Sequence, residues 1–378
     1  MEPFKNNISP ELVGLIADQL GRNIKNFDRQ AFEVPILAAL PKLELKARSQ
    51  LIADHLHLVL PAELKTRNRV LLGMLHPDST SIGGAQSDEN GIRGWGMFPL
   101  GQVVGQHGLM EFDGSMGLLK EMTSRFSSEF DVRPFLVSDQ ERALKIMGGW
   151  LNDPDHHVRR LVSESTRPRL PWGIQLKSFV KDPSPVLPLL FALRDDPSEY
   201  VRRSVANHLN DIAKDHPDLV ADIAGEWLKG ASKDRIRLIR HACRTLIKAG
   251  HEKTLRVLGY DQPKLHSVLL SLDCSEVQLG DSLEFTLALK SKGSAPQPLL
   301  IDYVIHHKKA NGTTSPKVFK WKDTVLKPKD RLETRKLHKF KPITTRVYYP
   351  GQHFIEILIN GVAVCKEPFH LTLPQSVP

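Results

Sequence analysis

The chain is poor in what would mark a metal, redox or membrane protein. Of 378 residues only three are cysteines, Cys243, Cys274 and Cys365, too far apart for a CxxC pair. That spacing speaks against a zinc or iron–sulfur site and suits a reducing compartment. No apolar run approaches the roughly 18 residues of a membrane span, and MEPFKNNISP at the N-terminus lacks the apolar core of a signal peptide. A cytoplasmic protein with no membrane association is therefore expected. There is no GxxxxGK followed by Ser or Thr, no GxSxG and no HExxH. The glycines of "TSIGGAQSDENGIRGWG", residues 80–96, read as a mobile surface loop instead of a nucleotide cradle. His156-His157 and His306-His307 are adjacent pairs without a carboxylate or cysteine at ligand spacing, and they read as solvated side chains. Neither a metal nor an organic cofactor is implied.

What the chain does have is charge and order. Hydrophobic residues make up 40% and charged residues 25%, the balance of a globular protein, with a formal net charge of +9. Such a surplus points to an anionic partner, a nucleic acid or a membrane surface. It is local: residues 308–341 hold 12 Lys+Arg against 3 Asp+Glu, leaving 40 of each sign elsewhere. Up to about residue 260 the pattern is helical. Ser9-Pro10, Asp153-Pro154 and Asp196-Pro197 each place an N-cap residue before a proline suited to the first helical position, and Ser138-Asp139-Gln140-Glu141 reads as a capping box. From about residue 265, "SLEFTLALKS", "LLIDYVIHHKK" and "HFIEILINGVAV" have strand lengths and alternation, with a hairpin around Asn311-Gly312. Two domains are expected, all-α over 1–260 and an all-β sandwich over 265–374, with Tyr260–Pro263 as linker.

The helical half repeats. "NDPDHHVRRLVSE" and "DDPSEYVRRSVAN" align 43 residues apart, and "RIRLIRHACRTL" is a weaker third copy that sets Arg240 over Arg203. A period near 40 with two or three helices per unit is the signature of a HEAT-like solenoid. Stacking would line Arg159, Arg160, Arg202, Arg203 and Arg240 along one side, with Arg167 and Arg169 beyond them, as phosphate contacts. The plainer alternative stays open for each: Arg160 and Glu164 are i, i+4, an exposed pair worth only about 0.3–0.5 kcal/mol, and HEAT repeats also use arginines to bridge helices.

Two carboxylates keep unusual company. Glu129, in "RFSSEFDVRPF", is expected at the end of an amphipathic helix with Leu118, Leu119, Met122 and Phe126 on its apolar face. Glu164 ends the helix of Arg159 and Arg160, before "RPRLPW", where Pro168 and Pro171 forbid continuation. A carboxylate there opposes the helix macrodipole at a cost of a few tenths of a kcal/mol, roughly. Either a salt bridge to Arg160 or Arg167 or a need for an anion on a cationic surface accounts for it.

The segments "SSEFDVRPFL", "VRRLVSESTRPRLPWG", "VRRSVANHLNDIAKDHP" and "RHACRTLIKAG", in that order, resemble the AlkC branch of the AlkC/AlkD DNA alkylation-repair glycosylases. The resemblance implies a HEAT-like repeat solenoid followed by an immunoglobulin-like sandwich. It also implies a monofunctional glycosylase that excises N3-methyladenine and N3-methylcytosine from duplex DNA without flipping the base. Glu129, Glu164 and Trp172 would then be catalytic, and Arg159, Arg160, Arg167, Arg169, Arg202, Arg203, Asn207 and Arg240 would hold DNA. The Trp-Asp-x-x-Asp element of the sister AlkD branch is absent, which leaves the two glutamates as the acidic candidates. An N3-methylated base is already a cation, so the leaving group needs no general acid. A preorganised carboxylate for the oxocarbenium-like sugar is what the chemistry asks for. The expected partner is double-stranded DNA, met by a monomer whose β domain clamps the duplex. The rival readings are a non-catalytic HEAT-repeat DNA-binding or scaffolding protein and a protein–protein adaptor.

Overall fold

The computed structural model describes residues 3–79, 86–344 and 346–374; residues 80–85 of the expected surface loop lie outside them. By packing the chain divides into two compact units, residues 1–215 with 232–242, and residues 216–231 with 243–378.

The first unit is helical, and its helix starts are set by side-chain chemistry. Ser9 caps Pro10–Asn23 by accepting from the Leu12 amide, a bond worth about 1 kcal/mol. The Asp-Pro pairs act differently from expectation. Asp153 and Asp196 accept from amides two residues on, those of Asp155 and Ser198, so each Asp-Pro closes a turn and the helices begin later, as His156–Ser165 and Glu199–Ile212. Asp139 alone caps Gln140–Gly148, because Ser138 is the last residue of Arg133–Ser138.

The repeat in sequence is a repeat in space. His156–Ser165 packs on Glu199–Ile212, and that on Lys233–Ala242, with Val158, Leu161 and Val162, then Val201, Val205 and Leu209, then Leu238 and Ile239 buried between them and their neighbours. No single repeat buries such a face by itself, and stacking supplies the missing partner.

The second unit joins the helices Pro217–Leu228, Arg244–Lys248 and Glu252–Val257 to eight strands. These are β1 (Leu265–Leu272), β2 (Glu276–Gln278), β3 (Ser282–Ser291), β4 (Gln297–Lys308), β5 (Thr314–Leu326), β6 (Arg331–Lys339), β7 (Gly351–Ile359) and β8 (Val362–Thr372). They form a three-stranded sheet, β1-β3-β6, and a five-stranded one, β2-β8-β7-β4-β5, antiparallel except for β2 with β8. Alternation decides which face turns inward: Leu283, Phe285, Leu287 and Leu289 of β3 meet Leu299, Ile301, Tyr303 and Ile305 of β4 and Ile355, Ile357 and Ile359 of β7 in one core. The β4–β5 hairpin turns at Gly312, where φ is +81°. Tyr260, in the expected linker, is buried and donates from its hydroxyl to Asp323 at 2.7 Å. The histidine reading does not hold on β4. His307 is buried beside Phe340, and burial pushes its pKa down to about 3, while His306 pairs with Glu356. Neighbouring strand residues face opposite ways, so one of the pair had to turn inward. Phe340 is likewise core, and Phe319 and Trp321 pack against it.

Candidate active site

A buried arginine that sequence reasoning missed builds the site. Arg133, fully buried, donates to the carbonyls of Ser165, Arg167 and Ile174 at 2.6, 2.9 and 2.7 Å. It thereby staples the segment after the helix His156–Ser165 into one shape. Burial, with Arg167 close by, pushes its pKa down to about 10. A Cβ on Gly173 would lie 3.2 Å from the Arg133 side chain, which explains a small residue there. Trp172, just before it, has φ +69° and stands 62% exposed. It is no core residue, and a bulky side chain held in the left-handed region stores strain that the staple must offset. Lys46 donates to its carbonyl at 3.2 Å, with the ammonium 5.6 Å from the ring centroid.

Behind this segment runs an alternating chain of charges. Glu129 pairs with Arg160 and accepts from Ser127 at 2.8 Å. Arg160 reaches Glu164 at 3.4 Å, Glu164 meets Arg167 at 2.6 Å, and Arg167 meets Asp211 at 2.8 Å. Ser204 donates to the second oxygen of Glu164 at 2.6 Å. Burial by itself would raise the Glu164 carboxyl, but the guanidiniums of Arg160 and Arg167 and the Ser204 hydroxyl outweigh it and hold the carboxyl below its ordinary value. Arg160 also sits 5.1 Å from the Tyr200 ring centroid.

The two glutamates differ. Glu164 is 5% exposed with both oxygens taken. Glu129 is not in a helix, as expected, but in the turn beyond Phe112–Thr123. Both its bonds fall on Oε2, so Oε1 has no partner among the described residues, and the side chain lines a cleft of about 360 Å³. The cleft walls are aromatic: Trp95, Phe98, Phe126, Phe130, Trp172 and Tyr200. Trp95 comes from the described end of the glycine-rich segment, after Gly94 at φ +58°, and packs 5.2 Å from Phe98 and 5.3 Å from Phe126. His157 reaches the same cleft, its pKa lowered by burial. Asp155, His156 and His157 bring donor atoms within 4.8 Å of one another, but the Asp155 oxygens already accept from the His157 amide and the Ser124 hydroxyl.

The arginine row divides by position within each pair. The first arginine bridges repeats. Arg159 donates to the carbonyls of Asp153 and Pro154 and, bidentately, to Asp196, at 2.6 and 3.0 Å. One repeat on, Arg202 donates to the carbonyls of Asp196 and Pro197 and pairs with Asp234 at 3.1 Å. The second arginines differ from each other: Arg160 enters the charge chain, while Arg203 is exposed beside Glu199. Arg169 pairs with Asp215 at 2.8 Å, Asn207 shares a 3.0 Å hydrogen bond with His241, and Arg240 is exposed.

Stacked helical repeats carrying a carboxylate in an aromatic cleft, followed by a β-sandwich, define a HEAT-like-repeat protein with an immunoglobulin-like C-terminal domain. Residues 267–373 match the family described as uncharacterised protein YhaZ, C-terminal Ig-like domain. Over 96% of its length the chain is 34% identical to the uncharacterized protein YhaZ of Bacillus subtilis (strain 168), covering 97% of it. The solved structure of the Pseudomonas fluorescens alkylpurine DNA glycosylase AlkC, bound to DNA containing an abasic site analog, superposes with a TM-score of 0.80 at 32% identity, covering 98% of this chain and 99% of that one. The chain belongs to the AlkC branch of the AlkC/AlkD family.

Proposed function

We propose that this chain is a monofunctional DNA glycosylase that removes cationic N3-alkylated bases, N3-methyladenine and N3-methylcytosine, from duplex DNA without extruding them, leaving an abasic site. The observation that carries the reading is Glu129, which lines an aromatic cleft with no hydrogen bond on its Oε1 among the described residues, in a chain so similar along its length to a glycosylase. The damaged base leaves with the electron pair of its bond to C1′ and departs neutral. Positive charge then develops on the sugar, where Glu129 Oε1 meets it. Water supplies the hydroxyl at C1′ and gives up its proton to Glu129 or to solvent. Trp172, exposed at the rim, packs on the deoxyribose, so the reacting carbon meets the site from outside the base stack. Glu164 does not touch the sugar in this reading. It holds Arg160, which holds Glu129.

Arg203, Arg240, Arg169 and Asn207 are the proposed phosphate contacts on the helical unit, with Arg159 and Arg202 committed to the solenoid itself. The β domain adds the clamp. Its exposed Lys320, Lys322, Arg331, Arg335 and Lys339 lie on β5 and β6, the edge strands of the two sheets. Lysine on an edge strand also blocks strand addition, so the salt dependence of binding is what separates the two uses.

The test is single-turnover release of free base from duplexes bearing N3-methyladenine. Wild type releases it, and Glu129→Gln slows release tenfold or more, about 1.4 kcal/mol in the barrier. If wild type releases no base, the Glu129–Arg160 pair is a structural ion pair and the protein a DNA-binding or scaffolding one.

A further inference from the structure

A second carboxylate faces the same aromatic walls. Asp131, two residues after Glu129, lines a hollow of about 130 Å³ that shares Phe98, Phe130 and Trp172 with the larger cleft. Among the described residues no hydrogen bond or ion pair reaches its carboxylate. The polar neighbours in that hollow are engaged elsewhere: Lys46 with the Trp172 carbonyl, and the Ser49 hydroxyl with Gln102. Arg160, the guanidinium beside Glu129, also binds Glu164.

The fold makes room for this carboxylate. The helix Met97–His107 has glycine at positions 101 and 105, one turn apart on one face. A Cβ on Gly101 would collide with the Asp131 carboxylate, and one on Gly105 would come within 3.0 Å of the Asp131 carbonyl oxygen. Both glycines let Asp131 lie against a bare stretch of helix. Burial, then the charge of Glu129, pushes the Asp131 carboxyl well above its ordinary range. A carboxyl with no counter-ion among the described residues is driven toward its neutral form, and an organic cation entering beside these aromatic rings would draw it back to the charged one.

We propose that Asp131 is a specificity-determining residue of the site, a second carboxylate that with Glu129 receives the positive charge of the damaged nucleotide and sets the preference for cationic over neutral targets. The proposal rests on the glycosylase reading above. Two duplex probes test it, one with a pyrrolidine abasic analogue, cationic at neutral pH, and one with its neutral tetrahydrofuran isostere. Wild type is expected to bind the cationic duplex at least about tenfold more tightly, 1.4 kcal/mol. Asp131→Asn should lose most of that ratio while keeping its affinity for the neutral duplex. Gly101→Ala, whose methyl displaces the carboxylate, should shift the ratio the same way, and it decides the matter if the Asn variant does not fold. A wild type that releases N3-methyladenine but either binds both duplexes alike or passes its preference undiminished to Asp131→Asn overturns the Asp131 assignment alone. Equal loss of affinity for both duplexes in the variant also overturns it, leaving Asp131 a packing residue. A wild type that neither releases base nor discriminates overturns the glycosylase reading and this proposal together.

Discussion

Replacing Glu164 by Gln removes one charge and almost no volume from the middle of the ionic chain. The side chains involved are 14%, 7% and 9% exposed for Arg160, Glu164 and Arg167, so water cannot repair the loss. Taking one partner from a buried ion pair costs about 3–5 kcal/mol, most of it the penalty of the uncompensated charge left behind. Gln keeps an oxygen for the Ser204 hydroxyl and Asp211 still holds Arg167, so the lower end, about 3 kcal/mol, is expected. For a cooperative unit of this size that is a fall in Tm of roughly 6–12 °C. Melting followed by circular dichroism at several pH values measures it. The Glu164 carboxyl is held below its ordinary value of 4.5 in the fold, so its stabilisation is fully present above that value and lost as pH falls through the lower folded one. The gap between wild type and variant should stay constant from pH 7 to about 5.5 and close on further acidification. A variant melting within about 1 °C of wild type at pH 7, or a gap indifferent to pH, would refute the reasoning.

Glu129→Gln should lower Tm less than Glu164→Gln, because Arg160 keeps Glu164 and the amide can still accept from Ser127, while lowering single-turnover excision tenfold or more. Trp172→Phe should retain excision and Trp172→Ala lose it. Because φ is +69° at this position, Trp172→Gly should melt above the Ala variant by about 1 kcal/mol, or roughly 2–4 °C, with excision equally lost. Lys322→Ala and Lys339→Ala, both exposed on the edge strands, should each flatten the slope of log K against log salt by about 0.9 if they touch phosphate, and leave it unchanged if they only guard the edge.

Much of the architecture was legible because it is periodic. Val158-Arg159-Arg160 and Val201-Arg202-Arg203 announce stacked repeats, and alternation along β3 announces which residues form the sandwich core. What pattern could not supply was the division of labour between adjacent arginines. Arg159 and Arg160 are identical side chains about 100° apart on a helix, and only the neighbouring repeat decides that one meets Asp196 and the other Glu129. Arg133 was hidden for a related reason: in a short helix it reads as one more surface cation, and its burial arises from three carbonyls brought to it by a segment more than thirty residues on. The aromatic cleft was invisible because its rings come from residues 95–98, 126–130, 172 and 200, whose meeting is purely tertiary. A tryptophan after Gly94 and two phenylalanines flanking Glu129 were the signal available. The Asp-Pro pairs misled by two residues each, since the aspartate carboxylate closes its own turn before the helix opens.

The bridge from each first arginine to the next repeat's aspartate gives the solenoid a direction. Arg159 is completed by Asp196 and Arg202 by Asp234, always from the later repeat. Each repeat thus emerges from synthesis with an unmet cation and is finished only when its successor has been made. Removing a repeat from the C-terminal side strands a guanidinium that two carbonyls have already drawn in, whereas removal from the N-terminal side strands an aspartate that still accepts an amide of its own turn. Fraying should therefore be asymmetric, with the C-terminal end of the stack the dearer one to lose, so that hydrogen exchange slows toward Lys233–Ala242 instead of falling off evenly at both ends.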